Sequence, residues 1–191
     1  IERIIIILSE ANSTLLKFLN TYEFKDQQEE IHFFKISKPQ IVGQLIFFSE
    51  VFRIETEKYY GTAEIIKNYY NSEISKIEEY FNSTINFYRY YTSGSTIQDH
   101  IYFIRNINTF CNSTDYSLQC LDYRTSTKYD FIAAKINAYS QLMVYLKNEI
   151  DKLSESTNKS IEPKQIKQLT WTESNVSLVE ICYAFHYSGA I

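Results

Sequence analysis

An apolar side chain recurs every three or four positions from Thr62 to Tyr91. This spacing returns to one face of an α-helix and predicts a helix of about eight turns, roughly 45 Å long at 1.5 Å per residue. A helix of that length buries its apolar side only against neighbours along its length, so we predict an antiparallel helical bundle. Only four glycines and two prolines occur in 191 residues, which favours long helices over a sandwich or a barrel.

Four further segments have helical patterns. The first covers residues 2–20, and Asp26 is placed to cap a second helix that ends near Ile36. Pro39 disfavours helical backbone at the residue before it and suits a helix start, so a third helix is expected from Pro39 to Glu57. Ser126 or Thr127 is expected to cap a last helix that ends near Leu153. The side chains predicted to face inward in these last two helices are Ile41, Leu45, Phe48, Phe52, Phe131, Ala134, Ala138, Leu142, Tyr145, Leu146 and Ile150.

Two regions interrupt the helical pattern. Residues 106–124 are the least periodic part of the chain and are compatible with a small strand pair over 107–111 and 117–122. The stretch 154–168 is polar and contains Pro163, which is typical of a linker. We therefore predict a helical domain over 1–153, a linker over 154–168 and a separate segment over 169–191. The single amphipathic helix of that last segment is too short to be stable alone, so it either docks on the preceding domain or begins a second one.

Charge and cysteine content restrict the class of protein. The formal net charge is −4, which does not favour indiscriminate nucleic-acid binding but leaves a local basic surface open. The three cysteines form an odd set with no CxxC spacing, so free thiols in a reducing compartment are expected. The apolar run from Ile4 to Leu8 is far shorter than the ~20 residues of a membrane span. We expect a soluble, cytoplasmic chain without a membrane segment.

No catalytic or metal-binding arrangement is visible in the sequence. The scattered glycines exclude a phosphate-binding loop, and His32, His100 and His186 lie too far apart for one local metal site. Cys182 and His186 are spaced as a nucleophile and a base could be, but Cys182 shares the apolar stripe of its helix and is favoured as a core residue. Adjacent carboxylates such as those at 78 and 79 point about 100° apart and do not form an acid–base pair. We predict a protein that is not an enzyme and has no cofactor or metal.

The tyrosines allow two interpretations. Those between residues 69 and 91, with Arg89 and Arg105 nearby, could stack on nucleic-acid bases. Most of them lie at core-facing helical positions, where the ring is buried and the hydroxyl reaches the rim, so core packing is favoured.

Four sequence blocks together resemble the RteC proteins, which are regulators carried by mobile conjugative elements of gut bacteria. No single block is diagnostic, but their joint occurrence, order and spacing are fairly specific. The blocks are IHFFKISKPQIVGQLIFFSEVFRIET (31–56), INFYRYYTSGSTIQDHIYFIR (85–105), STKYDFIAAKINAYSQLMVYLKNEIDKL (126–153) and LTWTESNVSLVEICYAFHYSGAI (169–191).

The resemblance implies a DNA-binding transcriptional regulator that acts downstream of a tetracycline-responsive two-component pair and switches on genes for element excision. It also implies that residues 169–191 begin a winged-helix-like unit that binds double-stranded promoter DNA. In that case helix 175–187 and Gly189 supply the first helix and the turn, and the recognition helix is expected beyond Ile191. Lys164 and Lys167 could then contact phosphates, or they could be solubilising charges of a linker.

An alternative function depends on the helices alone. A bundle with two long helices and an acidic balance could be an interaction scaffold that forms a homodimer or binds another regulator, with no DNA contact of its own. The sequence leaves both hypotheses open.

Overall fold

The computed structural model describes residues 1–105, 122 and 124–159, and every regular element in that part of the chain is helical. This confirms the prediction of a mainly α protein for those residues. The predicted strand pair, apart from Asp122, and the winged-helix-like segment 169–191 lie outside them, and the domain bounds stay predictions. The α-helices are α1 (Glu2–Leu19), α2 (Gln27–His32), α3 (Lys38–Glu57), α4 (Ala63–Ser83), α5 (Ile85–Thr92), α6 (Asp99–Tyr102) and α7 (Lys128–Lys159), with a π-helical turn at Phe33–Ser37.

The helical run from α2 into α3 differs from the prediction at Pro39. We expected a break before the proline, but Lys38 keeps helical angles, with φ −65° and ψ −45°. The π-helical turn before it changes the hydrogen-bond register, so that the Lys38 N–H bonds the carbonyl of Phe33. Pro39 then occupies the first turn of α3, where its missing N–H costs nothing. Asp26 caps α2 as predicted, because its carboxylate accepts a hydrogen bond from the Glu29 N–H.

The prediction of one continuous helix over residues 62–91 is wrong, because the helix is interrupted at Thr84. There α4 ends and α5 begins, and Thr84 has φ −111° and ψ 20°. The hydroxyls of Ser83 and Thr84 both donate to the carbonyl of Tyr80, at 2.8 and 3.0 Å. The Thr84 N–H also bonds this carbonyl at 3.2 Å, so the helical hydrogen bond is kept and the interruption lies in the backbone angles of Thr84.

The helices form a bundle that is only partly antiparallel. α3 and α4 run in opposite directions, whereas α3 and α7 run in the same direction, since their paired positions increase together. α3 and α7 lie close together at Gly43, where an added Cβ would lie 3.1 Å from the carbonyl oxygen of Ala134. The pairs that define these directions are Arg53–Glu73 and Glu55–Tyr70 for α3 and α4, and Lys38–Asp130 and Gln44–Gln141 for α3 and α7.

Two apolar clusters make up the core of residues 1–105 and 124–154. One joins α3, α4 and α7, and the other joins the π-helical turn, α5, α6 and the start of α7. The inward face predicted for α7 is largely confirmed. The residues predicted inward on α3 are only half-buried, and the fully buried positions of that helix are Lys38, Pro39, Gly43, Val51 and Ile54. The buried members are Val51, Ile54, Tyr70, Ile77, Leu142 and Leu146 in the first cluster, and Phe34, Phe87, Phe103, Ala133 and Ile136 in the second.

Helix α1 packs on α3 but buries little of its own surface. Leu19 is its only fully buried side chain. Four of its large apolar side chains stay exposed to solvent, among them Ile6 at 57% and Ile7 at 63%. Of the helices in the described part, none combines the length and the apolar character that crossing a bilayer requires.

Candidate functional site

Lys38 is the most deeply buried lysine in the described part of the chain, with a side chain only 6% exposed. Its Nζ donates to the carbonyl of Thr125 at 2.6 Å, to Asp130 Oδ2 at 2.6 Å and to the Ser126 hydroxyl. An ammonium group has three protons, so these three acceptors satisfy it completely. The π-helical turn immediately before Lys38 sets the rotation of α3, and turns of this kind often occur at functional sites.

Asp130 is placed by the start of α7. Thr127 caps this helix, since its hydroxyl accepts the Asp130 N–H at 3.1 Å. The carboxylate at this position is wholly buried. Burial raises the pKa of Asp130, and the Lys38 ammonium and the nearby N–H groups of Thr127 and Phe131 offset part of that rise. The charged pair is thus formed between two helix starts that lie 92 positions apart in sequence.

A cavity of about 140 Å³ adjoins this ion pair between α1, α3 and α7. Two oxygens in its wall, Asn12 Oδ1 and Asp130 Oδ1, are buried and receive no hydrogen bond from any residue that the structure describes. Because Lys38 has no proton left to give, its ammonium group serves neither oxygen, and the side-chain donors that remain in the wall are the Asn12 amide and the Ser126 hydroxyl. The lining residues are Asn12, Leu16, Lys38, Val42, Ser126, Asp130 and Phe131.

A second polar cluster lies near the other end of α3. Arg53 donates to Glu73 of α4 at 2.6 Å and also pairs with Glu50 and Glu57. Burial raises the pKa of Glu73, but hydrogen bonds from Lys76 and Arg53 outweigh it, so that the pKa lies below its ordinary value. Arg53 is 36% exposed, so this cluster keeps contact with water on one side.

A third polar cluster joins the π-helical turn to α5 and α6. Lys35 donates to Asp99 Oδ1 at 2.8 Å and to the carbonyl of Ser95 at 2.7 Å, and the Tyr90 hydroxyl donates to the same carboxylate at 2.6 Å. Burial, together with this hydrogen bond to Asp99, raises the pKa of Tyr90 to about 12. Both Asp99 oxygens are bonded, so the cluster has the character of a structural joint.

The residues singled out in the sequence do not form a site in the part that the structure describes. Lys164, Lys167, Cys182 and His186 lie outside that part, so the proposed phosphate contacts stay predictions. His32 and His100 are exposed on separate helices. Among residues 1–105, 122 and 124–159, no three His, Cys, Asp or Glu side chains are grouped as a metal ion would require.

The tyrosines have structural partners, as the core-packing interpretation predicts. The Tyr91 hydroxyl donates to the carbonyl of Lys35 and accepts from Asn137. The Tyr69 hydroxyl donates to the carbonyl of Ile54, and Tyr70 is buried in the core. Their rings pack against neighbouring helices, and their polar ends are bonded to the protein.

The Lys38–Asp130 cavity was missed by reasoning from the sequence. The only local signals are the spacing of Thr127 and Asp130, which is typical of a capping box, and a lysine directly before a proline. Neither signal indicates that the two charged residues meet. Asn12 belongs to α1, and nothing in its neighbours marks it as part of a polar site.

Comparison with known proteins agrees with the resemblance seen in the sequence. A family model described as RteC protein matches residues 32–191, so the match includes α3 to α7 and begins after α1. No curated protein and no solved structure matches the chain. Because the family match covers well over half of the sequence, the chain belongs to the RteC protein family.

Proposed function

We propose that this protein is a DNA-binding transcriptional regulator of the genes for excision of conjugative elements, and that it is not an enzyme. The observation that carries the proposal is the family match over residues 32–191. Membership of the RteC family fits a regulator of conjugative elements, including those that carry tetracycline resistance. DNA binding is the further step that the proposal adds.

In this proposal the helical bundle and the C-terminal segment have different roles. Phosphate binding requires lysine and arginine side chains that are free to replace counterions. In the bundle, Lys35, Lys38 and Arg53 are each held by carboxylates of the same chain. These three cations are engaged internally, and we assign promoter contact to the C-terminal segment because the resemblance to RteC proteins implies a DNA-binding unit there, with Lys164 and Lys167 before the predicted helix 175–187.

A binding titration over a salt series tests this function. The full-length protein is titrated against a fluorescent duplex from the promoter of an excision operon, with a scrambled duplex for comparison. If Lys164 and Lys167 contact phosphates, Lys164→Ala and Lys167→Ala each weaken binding to all sequences and lower the salt slope by about 1. Lys67→Ala, at an exposed position of α4, is the matched control and leaves the slope unchanged. Equal affinity for both duplexes at low salt would refute the regulator proposal.

A second candidate function, homodimerisation as an interaction scaffold, is favoured by the surface of α1. Four apolar side chains on this helix are exposed: Ile4, Ile6, Ile7 and Phe18. Ile4 and Ile7 are three positions apart and share one face of the helix, and exposed apolar surface of this kind is typical of interaction sites. Light scattering at high protein concentration tests this function. A dimer that Ile7→Glu dissociates and Ile65→Glu, at an exposed position of α4, does not dissociate would support it, and a monomer throughout would exclude it.

A further inference from the structure

We propose that the cavity between α1, α3 and α7 is a binding site for a small uncharged molecule with an apolar body and at least one hydrogen-bond donor. The inference goes beyond DNA binding and does not depend on it. It rests on the unpartnered oxygens of Asn12 and Asp130, the completed hydrogen bonding of Lys38 and the size of the space that these groups surround.

The requirement for a donor follows from the hydrogen bonds already made. Lys38 donates its three ammonium protons to the Thr125 carbonyl, the Ser126 hydroxyl and Asp130 Oδ2. Asp130 Oδ1 and Asn12 Oδ1 are then left as acceptors that no group of the described chain serves. A buried acceptor without a donor is costly, so an O–H or N–H group that reaches either oxygen is stabilised there.

The preference for an uncharged molecule follows from the ion pair. Lys38 and Asp130 lie 2.6 Å apart, with side chains 6% and 0% exposed, and their charges cancel. A cationic ligand would bring a third charge into a dry site that holds no further counter-charge among its lining residues. An amide, an alcohol or a phenol can donate without this penalty.

The apolar body follows from the rest of the lining. Leu16, Val42 and Phe131 close the cavity with hydrocarbon surface. The volume of about 140 Å³ is close to the roughly 150 Å³ of an apolar cavity that holds benzene. A water molecule could donate to one of the oxygens but would leave this surface uncovered, whereas a ring with one hydroxyl group can serve both the polar and the apolar part of the wall.

Occupancy of the cavity would also hold α1 in place. Asn12 and Leu16 belong to α1, Lys38 and Val42 belong to α3, and Phe131 belongs to α7, so a ligand would bridge three helices. α1 has Leu19 as its only fully buried side chain, so it lies at the low end of local stability. Ligand binding is therefore expected to slow amide hydrogen exchange in α1 more than in α4.

Phenol is the probe for this site, and toluene is its counterpart of similar size without a donor. Binding to the protein is measured by ligand-observed NMR and by titration calorimetry. We expect phenol to bind at least ten-fold more tightly than toluene, and the cationic benzylamine to bind more weakly than phenol. Hydrogen exchange in α1 should slow several-fold when phenol is present at saturation.

Two variants connect the binding to this cavity. Val42→Phe fills the space and is expected to abolish binding, while Val144→Phe makes the same substitution at an exposed position of α7 and should leave it unchanged. Asn12→Leu removes one acceptor and should reduce the preference for phenol over toluene by at least three-fold. Because Asn12 lies on α1 outside the ion pair, this variant avoids the folding defect expected from changing Asp130.

Three results would contradict the proposed site. Equal affinity for phenol and toluene would show that the two oxygens do not select a donor. No binding of any probe would indicate that the cavity holds water only, and binding that survives Val42→Phe would place the probe elsewhere on the protein. Each of these three results would overturn the proposal. The measurements need no DNA, so failure of the regulator proposal would leave this result unaffected, and the reverse also holds.

Discussion

Two ionic clusters at opposite ends of α3 differ in how far their charged side chains are removed from water. In the Arg53–Glu73 cluster the arginine is 36% exposed and pairs with three carboxylates, so these charges are also solvated by water. The Lys38–Asp130 pair is almost completely removed from water and depends on its own hydrogen bonds. We therefore expect burial, more than the number of partners, to decide how strongly the loss of one partner destabilises the protein.

The largest expected effect tests the buried end. Asp130→Ala leaves the Lys38 ammonium buried without its counter-charge and should lower the free energy of unfolding by about 3–5 kcal/mol. Urea denaturation followed by circular dichroism measures the loss. A change below about 1 kcal/mol would mean that water already reaches Lys38, and the contrast between the two clusters would disappear.

A smaller effect is expected where α3 and α7 touch. A Cβ on Gly43 would meet the carbonyl oxygen of Ala134 at 3.1 Å, and backbone cannot move aside as a side chain can. Gly43→Ala should therefore cost about 1–3 kcal/mol by forcing the helices apart, despite the better helix propensity of alanine. Gln40→Ala, at an exposed position of the same helix, is the control and should change stability little. Stabilisation by Gly43→Ala would show that this contact does not hold the buried pair together.

The smallest effect tests the exposed end and its pH dependence. At pH 7, Glu73→Gln should cost about 1–2 kcal/mol, because its cationic partners remain in contact with water. The pKa of Glu73 is lowered in the folded protein, so its contribution is present above the ordinary pKa of about 4.5 and is lost as pH falls through the folded value. The difference between wild type and Glu73→Gln should therefore shrink in unfolding measurements below pH 4.

The pH dependence of stability that we expect from Asp130 has the opposite sign to that of Glu73. Its pKa is raised by burial, so the folded state binds a proton before the unfolded state does as pH falls. Over the window between the raised folded value and the ordinary value near 3.8, protonation of Asp130 favours the folded protein, whereas protonation of Glu73 disfavours it.

Prediction from the sequence worked where local patterns decide. The caps at Asp26 and Thr127 and the inward face of α7 follow from residue type and spacing, and the structure confirms them. The bounds predicted for the third helix agree with α3, but the expected break in helical backbone before Pro39 and the continuous helix through Thr84 are wrong. A π-helical turn accommodates the proline, and the backbone of Thr84 leaves helical angles within an apolar pattern that is otherwise continuous.

The sequence alone determined that the described part of this protein is built from amphipathic helices, and its four blocks were sufficient to indicate the RteC family, because helical periodicity and block order are properties of the chain itself. Only the tertiary structure decided that Lys38 meets Asp130 and that both adjoin a cavity with Asn12 in its wall. The reason is physical: a contact between side chains 92 positions apart depends on how α3 and α7 pack against each other, as they do where Gly43 lies close to Ala134.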